Sequence, residues 1–405
     1  MKAVFIISGK SPVSLPGGLG AYANNLASIF TVQGFRVFVL GFSTAHEEFT
    51  VNDITYIHVK TPYNFLQGLG VGFITSYFLK PIQEKIARLN PEKIVIYGMA
   101  TWGYAGIRLK AMRPELPITT MVSVFTTHRH ELLGHIHGAP VKDYGLLAHG
   151  KYVLAYLLDR LFIQRYDRQA IIGADRIILH YESTRHIIQD DYGPIPAEKI
   201  VKTPYCVELY KRISPEQKDK EILDSGKQRP WVVVICRQDP RKGMNTFIKA
   251  IGLLKGEGMD FDCYVVGSGP FLEDNRKLAG RRGLAGEIHF LGFVDNIEPF
   301  LDQADVYVLP SVEEGSGAIS LLEAMKLGVA IVTTRCDGIP EDFTHERNAL
   351  LVDMHDAQDM ARQIKRILTD DNLRKHLAKN ASRDYREKFS FEKMAAALDR
   401  IIQEI

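Results

Sequence analysis

Cysteine is scarce in this 405-residue chain, and Cys206, Cys236, Cys263 and Cys336 include no CxxC pair. Three of them lie in or beside apolar, strand-like runs. They read as reduced, buried small hydrophobes, not as a disulfide framework or a thiolate metal site, which suits a cytoplasmic protein. Long apolar runs are missing too. Spanning a bilayer takes ~20 apolar residues; the nearest stretch, Phe65 to Leu79, is shorter and holds Gly68, Gly70 and Gly72. The opening MKAVFIIS reads as a first strand followed by a glycine loop, not as a secretory leader. Net charge is only +2, so the balance calls for no nucleic-acid partner. No HExxH or comparable metal-ligand spacing is present among the histidines.

The small charge is unevenly spread. Residues 1–205 carry 21 Lys+Arg against 15 Asp+Glu, a balance of +6, and the remainder carries 29 against 33, a balance of −4. A mildly basic first half suits an anionic acceptor or an anionic membrane surface, although undirected scatter of surface charge gives the same count.

The length predicts two domains. Strand and helix signals alternate throughout: strands at Val4–Ser8, Arg36–Gly41, Lys93–Tyr97 and Thr119–Phe125, and a helical spacing from Gly20 to Gln33. A second series starts at Trp231, with strands at Phe261–Gly267, Ile288–Gly292, Val306–Leu309 and Val329–Thr333. The charged stretch from Lys211 to Arg229, with Pro215 and Gly226, has a boundary composition. This pattern predicts an α/β protein of two Rossmann-like, doubly wound domains facing a cleft. Tyr152 to Ile171 reads as one long helix with Arg160, Arg165 and Arg168 on a wetter side. Covering the sheet is the simpler role for it, and lying on a membrane surface the other.

The most informative segment runs from Ala304 to Asp337. A buried strand enters a loop holding Glu313, Glu314, Gly315, Ser316, Gly317 and Ala318, and a helix opening near Ile319 carries Glu323. Polar groups at the carboxyl end of a parallel strand sit where α/β sheets bind ligands. The loop amides from Gly315 to Ile319 can face a phosphate, and the carboxylates suit hydroxyl donors such as a sugar or ribose. In ICRQDPRKG the strand from Trp231 delivers Arg237, and Lys242 follows after a turn. Two fixed cations at a helix start suit a diphosphate, though a plain surface turn would look similar in isolation. In SLPGGLGAYANNLA, Gly17 and Gly18 let backbone approach a phosphate, and Gly20 opens the helix. That motif also fits a loose dinucleotide pattern, but the loop before it is long and the next strand, VFVLG, ends without the acid that holds a ribose. His128 and His130 sit just past a strand, with Glu131 able to pair with either. VGSGP, Gly267 to Pro270, reads as a tight turn. Asp260-Phe261-Asp262 matches a metal-holding DxD pattern but begins a strand, on the wrong edge of the sheet, so no metal site is expected.

Together with GADRIILHYESTRHII, which carries Ser183 and Thr184, these segments resemble the retaining nucleotide-sugar glycosyltransferases of the GT-B fold, family 4, over essentially the whole chain. The resemblance implies an acceptor domain over residues 1–208, a donor domain over 209–386, and a final helix, 387–405, crossing back to the first domain. It implies that Arg237 and Lys242 neutralise the donor diphosphate, Glu323 holds the ribose, and Glu314 binds the transferred sugar beside the amides of Gly315 to Ile319. Gly18 would approach the phosphate, with Gly17 beside it, and His128 would contact the sugar near the reacting carbon. It further implies a nucleotide-diphosphate-sugar co-substrate, UDP-sugar first, with no metal or other cofactor. The acceptor could be lipid-linked or anionic, reached in the cytoplasm or peripherally at the inner membrane face. Two departures stand out. The family usually separates its two glutamates by seven residues, whereas eight separate Glu314 from Glu323, so the loop must bulge and Glu313 competes for the first role. Tyr205, Cys206 and Glu208 replace the usual Asn, Gly and Asp. The alternatives are a GT-B-type epimerase or phosphorylase, or a sugar-nucleotide-binding protein without catalysis.

Overall fold

The computed structural model describes residues 1–10, 18–61, 71–206, 227–294 and 296–404. The chain divides into two compact units. One comprises Met1–His130, Ala155–Glu208 and Ser390–Ile405, and the other Glu131–Leu154 and Leu209–Phe389. Residues 131–154 therefore group with the second unit, unlike a division that follows chain order. Local periodicity cannot reveal this, because it reports how a segment is buried and not against what.

The first unit holds β1 (Lys2–Lys10), β2 (Phe35–Ser43), β3 (Glu47–Val51), β4 (Ile54–Lys60), β5 (Lys93–Met99), β6 (Ile118–Ser123), β7 (Arg176–Leu179) and β8 (Ile200–Lys202). They form one sheet in the order β3-β4-β2-β1-β5-β6-β7-β8, parallel except for the β3–β4 pair. β1 and β5 read as apolar runs because helices cover both faces. Phe5 stacks on Phe38 at 5.0 Å between ring centres. The helix that follows β1 spans Gly18–Val32, two residues earlier than its spacing suggests. Helix Phe391–Glu404 closes the unit, burying Met394, Ala397, Leu398, Ile401 and Ile402. That is the stripe its sequence spacing gives, and each large side chain contributes about 1.5–3 kcal/mol as an upper bound. Gln33 Nε2 donates to Asp399 at 2.6 Å.

The second unit holds β9 (Trp231–Ile235), β10 (Asp262–Val266), β11 (Ile288–Gly292), β12 (Val306–Leu309), β13 (Ile331–Thr334) and β14 (Leu350–Val352). The order is β11-β10-β9-β12-β13-β14, and all pairs are parallel. Every residue of β9 and β12 is buried, as β-branched central strands require. The strand order reverses between β9 and β12, so a crevice opens outside their carboxyl ends.

The helix expected over Tyr152–Ile171 is instead two helices, Leu146–Phe162 and Gln164–Ile172. The break at Ile163, with φ −109° and ψ −44°, lets both Ile163 and Asp167 face inward.

Candidate functional site

The site residues of the second unit lie on the loops leaving β9, β12 and β13. After β9, Arg237 stands 67% exposed, with Asp239 as its nearest acid at 3.8 Å. A short 3-10 turn, Pro240–Lys242, follows and ends at Gly243, whose φ is +63°. A Cβ at Gly243 would lie 2.0 Å from the Pro310 carbonyl oxygen, so only glycine lets this turn press against the loop leaving β12. Val312 N–H donates to the Arg241 carbonyl at 2.8 Å and ties the two loops together. The outcome is a pair of matched ions: Lys242 Nζ to Glu314 Oε1 at 2.6 Å, and Arg241 to Glu313 Oε2 at 2.7 Å. Ser311 also donates to Glu314.

These charges are enclosed, with the Glu313 and Glu314 side chains 1% and 4% exposed. Burial pulls the Lys242 ammonium down, but the Glu314 and Asp239 carboxylates outweigh it, and its pKa ends above the ordinary lysine value. Burial raises the Glu313 carboxyl, Arg241 offsets part of that, and Glu131 adds to it. Glu313 Oε1 has no hydrogen-bond partner among the described residues. An enclosed cation already fixed in place can stabilise negative charge without reorganising at the moment of reaction.

The extra residue between Glu314 and Glu323 is taken up by a loop that doubles back at Gly315 and Gly317, with φ of +53° and +78°. Asp337, after β13, clamps this bulge: its Oδ2 accepts the Glu314 amide at 2.7 Å and the Gly315 amide at 2.8 Å. The Gly315 N–H, expected to face a phosphate, is thus spent on Asp337. Helix Ile319–Leu327 begins beyond the loop with Ala318 at its N-cap and no side-chain cap, which leaves its first amides for another acceptor. Glu323 falls in the second turn, half-buried, near the buried Tyr307, whose hydroxyl donates to the Ile235 carbonyl at 3.0 Å.

Sequence reasoning missed Arg241, Asp239 and Asp337. The signal for Asp337 was its position just past a third parallel strand. Glu131, which the sequence leaves able to pair with either histidine, lies 3.6 Å from Arg241 within the second unit. The segment 131–154 packs tightly there. A Cβ at Gly134 would meet Glu313 Cβ at 2.5 Å, and one at Gly138 would meet the Pro240 carbonyl at 1.9 Å. Asp143, buried in the same segment, accepts from Lys249 at 2.5 Å and from Asn245 at 3.0 Å.

In the first unit, His128 opens helix His128–Gly138. Its amide donates to Asp167 Oδ2 at 3.2 Å, and its Nδ1 lies 3.7 Å from the buried Asp159. His130 N–H donates to Thr127 Oγ1 at 3.1 Å. Gly18 is the first residue of its helix, and Gly17 lies outside the described residues. At the carboxyl ends of β5 and β6, Tyr22, Tyr97 and Ser123 share hydroxyl hydrogen bonds of 2.6–3.2 Å. Burial pushes the Tyr22 hydroxyl up to about 12. Burial also pulls the His180 imidazole down to about 4, among the rings of Tyr22, Phe125 and Tyr205.

Two sequence motifs take plain structural roles. Gly267, with φ +123°, has no room for a Cβ against the Cys236 carbonyl. Arg229 forks across the DxD pair, to Asp260 at 2.9 Å and Asp262 at 2.6 Å.

Residues 215–384 match the model of the glycosyl transferases group 1 family. The sucrose-phosphate synthase of Thermosynechococcus elongatus has a similar structure, with a TM-score of 0.80 at 18% identity over 100% of this chain and 99% of that one. The fold is GT-B. Anabaena HepE in complex with UDP-glucose shares this GT-B fold, with a TM-score of 0.67 at 16% identity and both chains fully covered. Among curated relatives, the lipopolysaccharide core biosynthesis glycosyltransferase LpsE of Rhizobium meliloti is 34% identical over 180 residues, 44% of this chain and 51% of that protein. The chain thus spans about half the length of such relatives. No described helix is long and apolar enough to cross a membrane.

Proposed function

We propose that this chain is a retaining, metal-independent glycosyltransferase of family 4. It moves a hexose-type sugar from a nucleotide-diphosphate-sugar, UDP-sugar first, to an acceptor hydroxyl in glycan, glycolipid or glycoside synthesis. The observation that carries this reading is the enclosed Lys242–Glu314 pair, with Arg237 exposed on the same loop, at the strand-order reversal of the second unit. The solved GT-B relative holding UDP-glucose and the glycosyl transferases group 1 match support the choice of donor class.

On this reading the donor diphosphate lies against Arg237 and Lys242, which do the work of a metal ion. Glu323 holds the ribose hydroxyls and Glu314 the sugar, with Gly17 and Gly18 near the phosphate and His128 near the reacting carbon. Amides from Ser316 to Ile319 serve as donors, and that of Gly315 joins them if Asp337 releases it. The bond between the anomeric carbon and the diphosphate oxygen breaks, and a bond to the acceptor oxygen forms on the same face. The acceptor proton passes to the departing diphosphate, whose charge the two cations stabilise. The acceptor is lipid-linked or anionic, met in the cytoplasm or peripherally at the inner membrane face.

A thermal-shift screen against UDP, GDP, ADP and their sugars, with and without EDTA, tests the donor side. A ligand at 100 times its dissociation constant stabilises by ~2.7 kcal/mol. One nucleotide should give a selective, EDTA-insensitive shift that Glu323→Ala abolishes. No shift with any nucleotide would count against the proposal.

A further inference from the structure

Helix Leu146–Phe162 exposes an unusual amount of apolar surface. Leu147 is 92% exposed, Leu154 58%, Leu157 50% and Leu161 68%, and Phe162 is exposed as well. Leu147, Leu154 and Leu161 recur at sevens, so they share one face of the helix over roughly 21 Å. The opposite face holds the buried Tyr152 and Asp159. Soluble proteins scatter single exposed leucines, but a continuous row marks an interaction surface.

The charges around this row say what covers it. The basic residues Lys151, Arg160, Arg165 and Arg168, on this helix and the next, are all exposed. The only acids on the two helices are Asp159 and Asp167, at 1% and 0% exposure. The outer surface therefore offers leucine and cationic side chains with no acid. A protein partner of mixed charge would not require that, whereas an anionic bilayer would. Leucines enter the acyl boundary while arginines reach back to lipid phosphates on their flexible stems.

We propose that the outer face of helix Leu146–Phe162 docks on an anionic phospholipid surface. This deepens the reading above and rests on it for one point, that a membrane-borne acceptor would be met there.

The test is co-sedimentation of the full chain with vesicles of phosphatidylglycerol and phosphatidylcholine, or of phosphatidylcholine alone, at low and high salt. The chain should sediment with the anionic vesicles only, and less as salt rises. Leu157→Ser/Leu161→Ser should reduce the bound fraction at least tenfold, and Arg160→Glu, at an exposed position, should reduce it several-fold. Circular dichroism and the melting temperature check that the variants fold. Equal sedimentation with neutral vesicles, no sedimentation, or undiminished binding by both variants would overturn the proposal. So would a wild-type dimer in solution that the leucine changes convert to monomer. A nucleotide-induced thermal shift retained by a variant that no longer binds vesicles separates this surface from the donor site; loss of the shift in wild type points to failure of the functional reading instead.

Discussion

The carboxyl edges of the two sheets are built from opposite materials. In the second unit, the loops after β9, β12 and β13 bring together Arg241, Lys242, Glu313, Glu314 and Asp337, enclosed and paired. In the first, the loops and helix beside β5, β6 and β7 place neutral hydroxyls and an imidazole: Tyr22, Tyr97, Ser123 and His180. Burial penalises charge at both edges. One edge meets the penalty with counter-charge; at the other the hydroxyl and imidazole cluster stays neutral, and the buried Asp167 near it takes hydrogen bonds from Thr101, Tyr192 and the His128 amide. A charged edge suits a ligand that carries charge, and a neutral one suits a ligand bound through hydroxyls.

The sharpest way to break this comparison is to remove one partner of the charged edge. Lys242→Ala leaves Glu314 enclosed with Ser311 as its remaining partner, and should cost about 3–5 kcal/mol in urea unfolding. A loss below 1 kcal/mol would mean that the pair is not held apart from water. Arg237→Ala tests chemistry without the folding cost, because Arg237 is exposed. Turnover should drop ~100-fold or more, the ~2.7–4 kcal/mol typical of losing one fixed donor, with an unchanged melting temperature. A near-wild-type rate would remove Arg237 from the proposed site.

At the neutral edge, Ser123→Ala takes a partner from both Tyr22 and Tyr97 and should destabilise by about 1–3 kcal/mol. A neutral result would show that the two tyrosines satisfy each other. His180 sharpens the contrast through pH. Its folded pKa, about 4, lies below the ordinary imidazole value of 6.5 because burial disfavours the charged ring. Between those values the unfolded chain binds the proton and the folded chain resists it, so this residue's contribution to stability is lost as pH falls from 6.5 toward 4. The slope should approach ~1.4 kcal/mol per pH unit and flatten in His180→Gln; an unaltered slope assigns it to other groups. The smallest effect is expected from Asp260→Asn, on the amino edge of β10. Its exposed pairing with Arg229 should contribute under ~1 kcal/mol, with activity and EDTA response unchanged. A metal-dependent loss of activity would reinstate the DxD pair as a site.

Much of this was readable before folding. Continuous β-branched runs such as WVVVI and VYVL announce central parallel strands, because only strands covered on both faces tolerate them. Arg237, Lys242, Glu314 and Glu323 stand just past such strands, and the final helix shows its buried stripe in its spacing. Arg241 stayed hidden because its neighbour Lys242 fitted the same role and nothing local says which cation faces which acid. The extra residue before Glu323 announced a bulge, but not that Asp337 would hold it.

The sequence by itself determined the alternation of strands and helices, the strand ends where polar groups gather and the cation and acid types found there, since these follow from local periodicity and from the cost of burying uncovered polar groups. Tertiary structure alone decided which of those ends became neighbours. The reversal of strand order sets β9 beside β12, a glycine at 243 permits their loops to touch, and residues 131–154 join the second unit and bring Glu131 to Arg241. It also decided that the leucines of helix Leu146–Phe162 face outward. These outcomes depend on contacts between segments far apart in the chain, where packing and charge pairing override what each segment prefers alone.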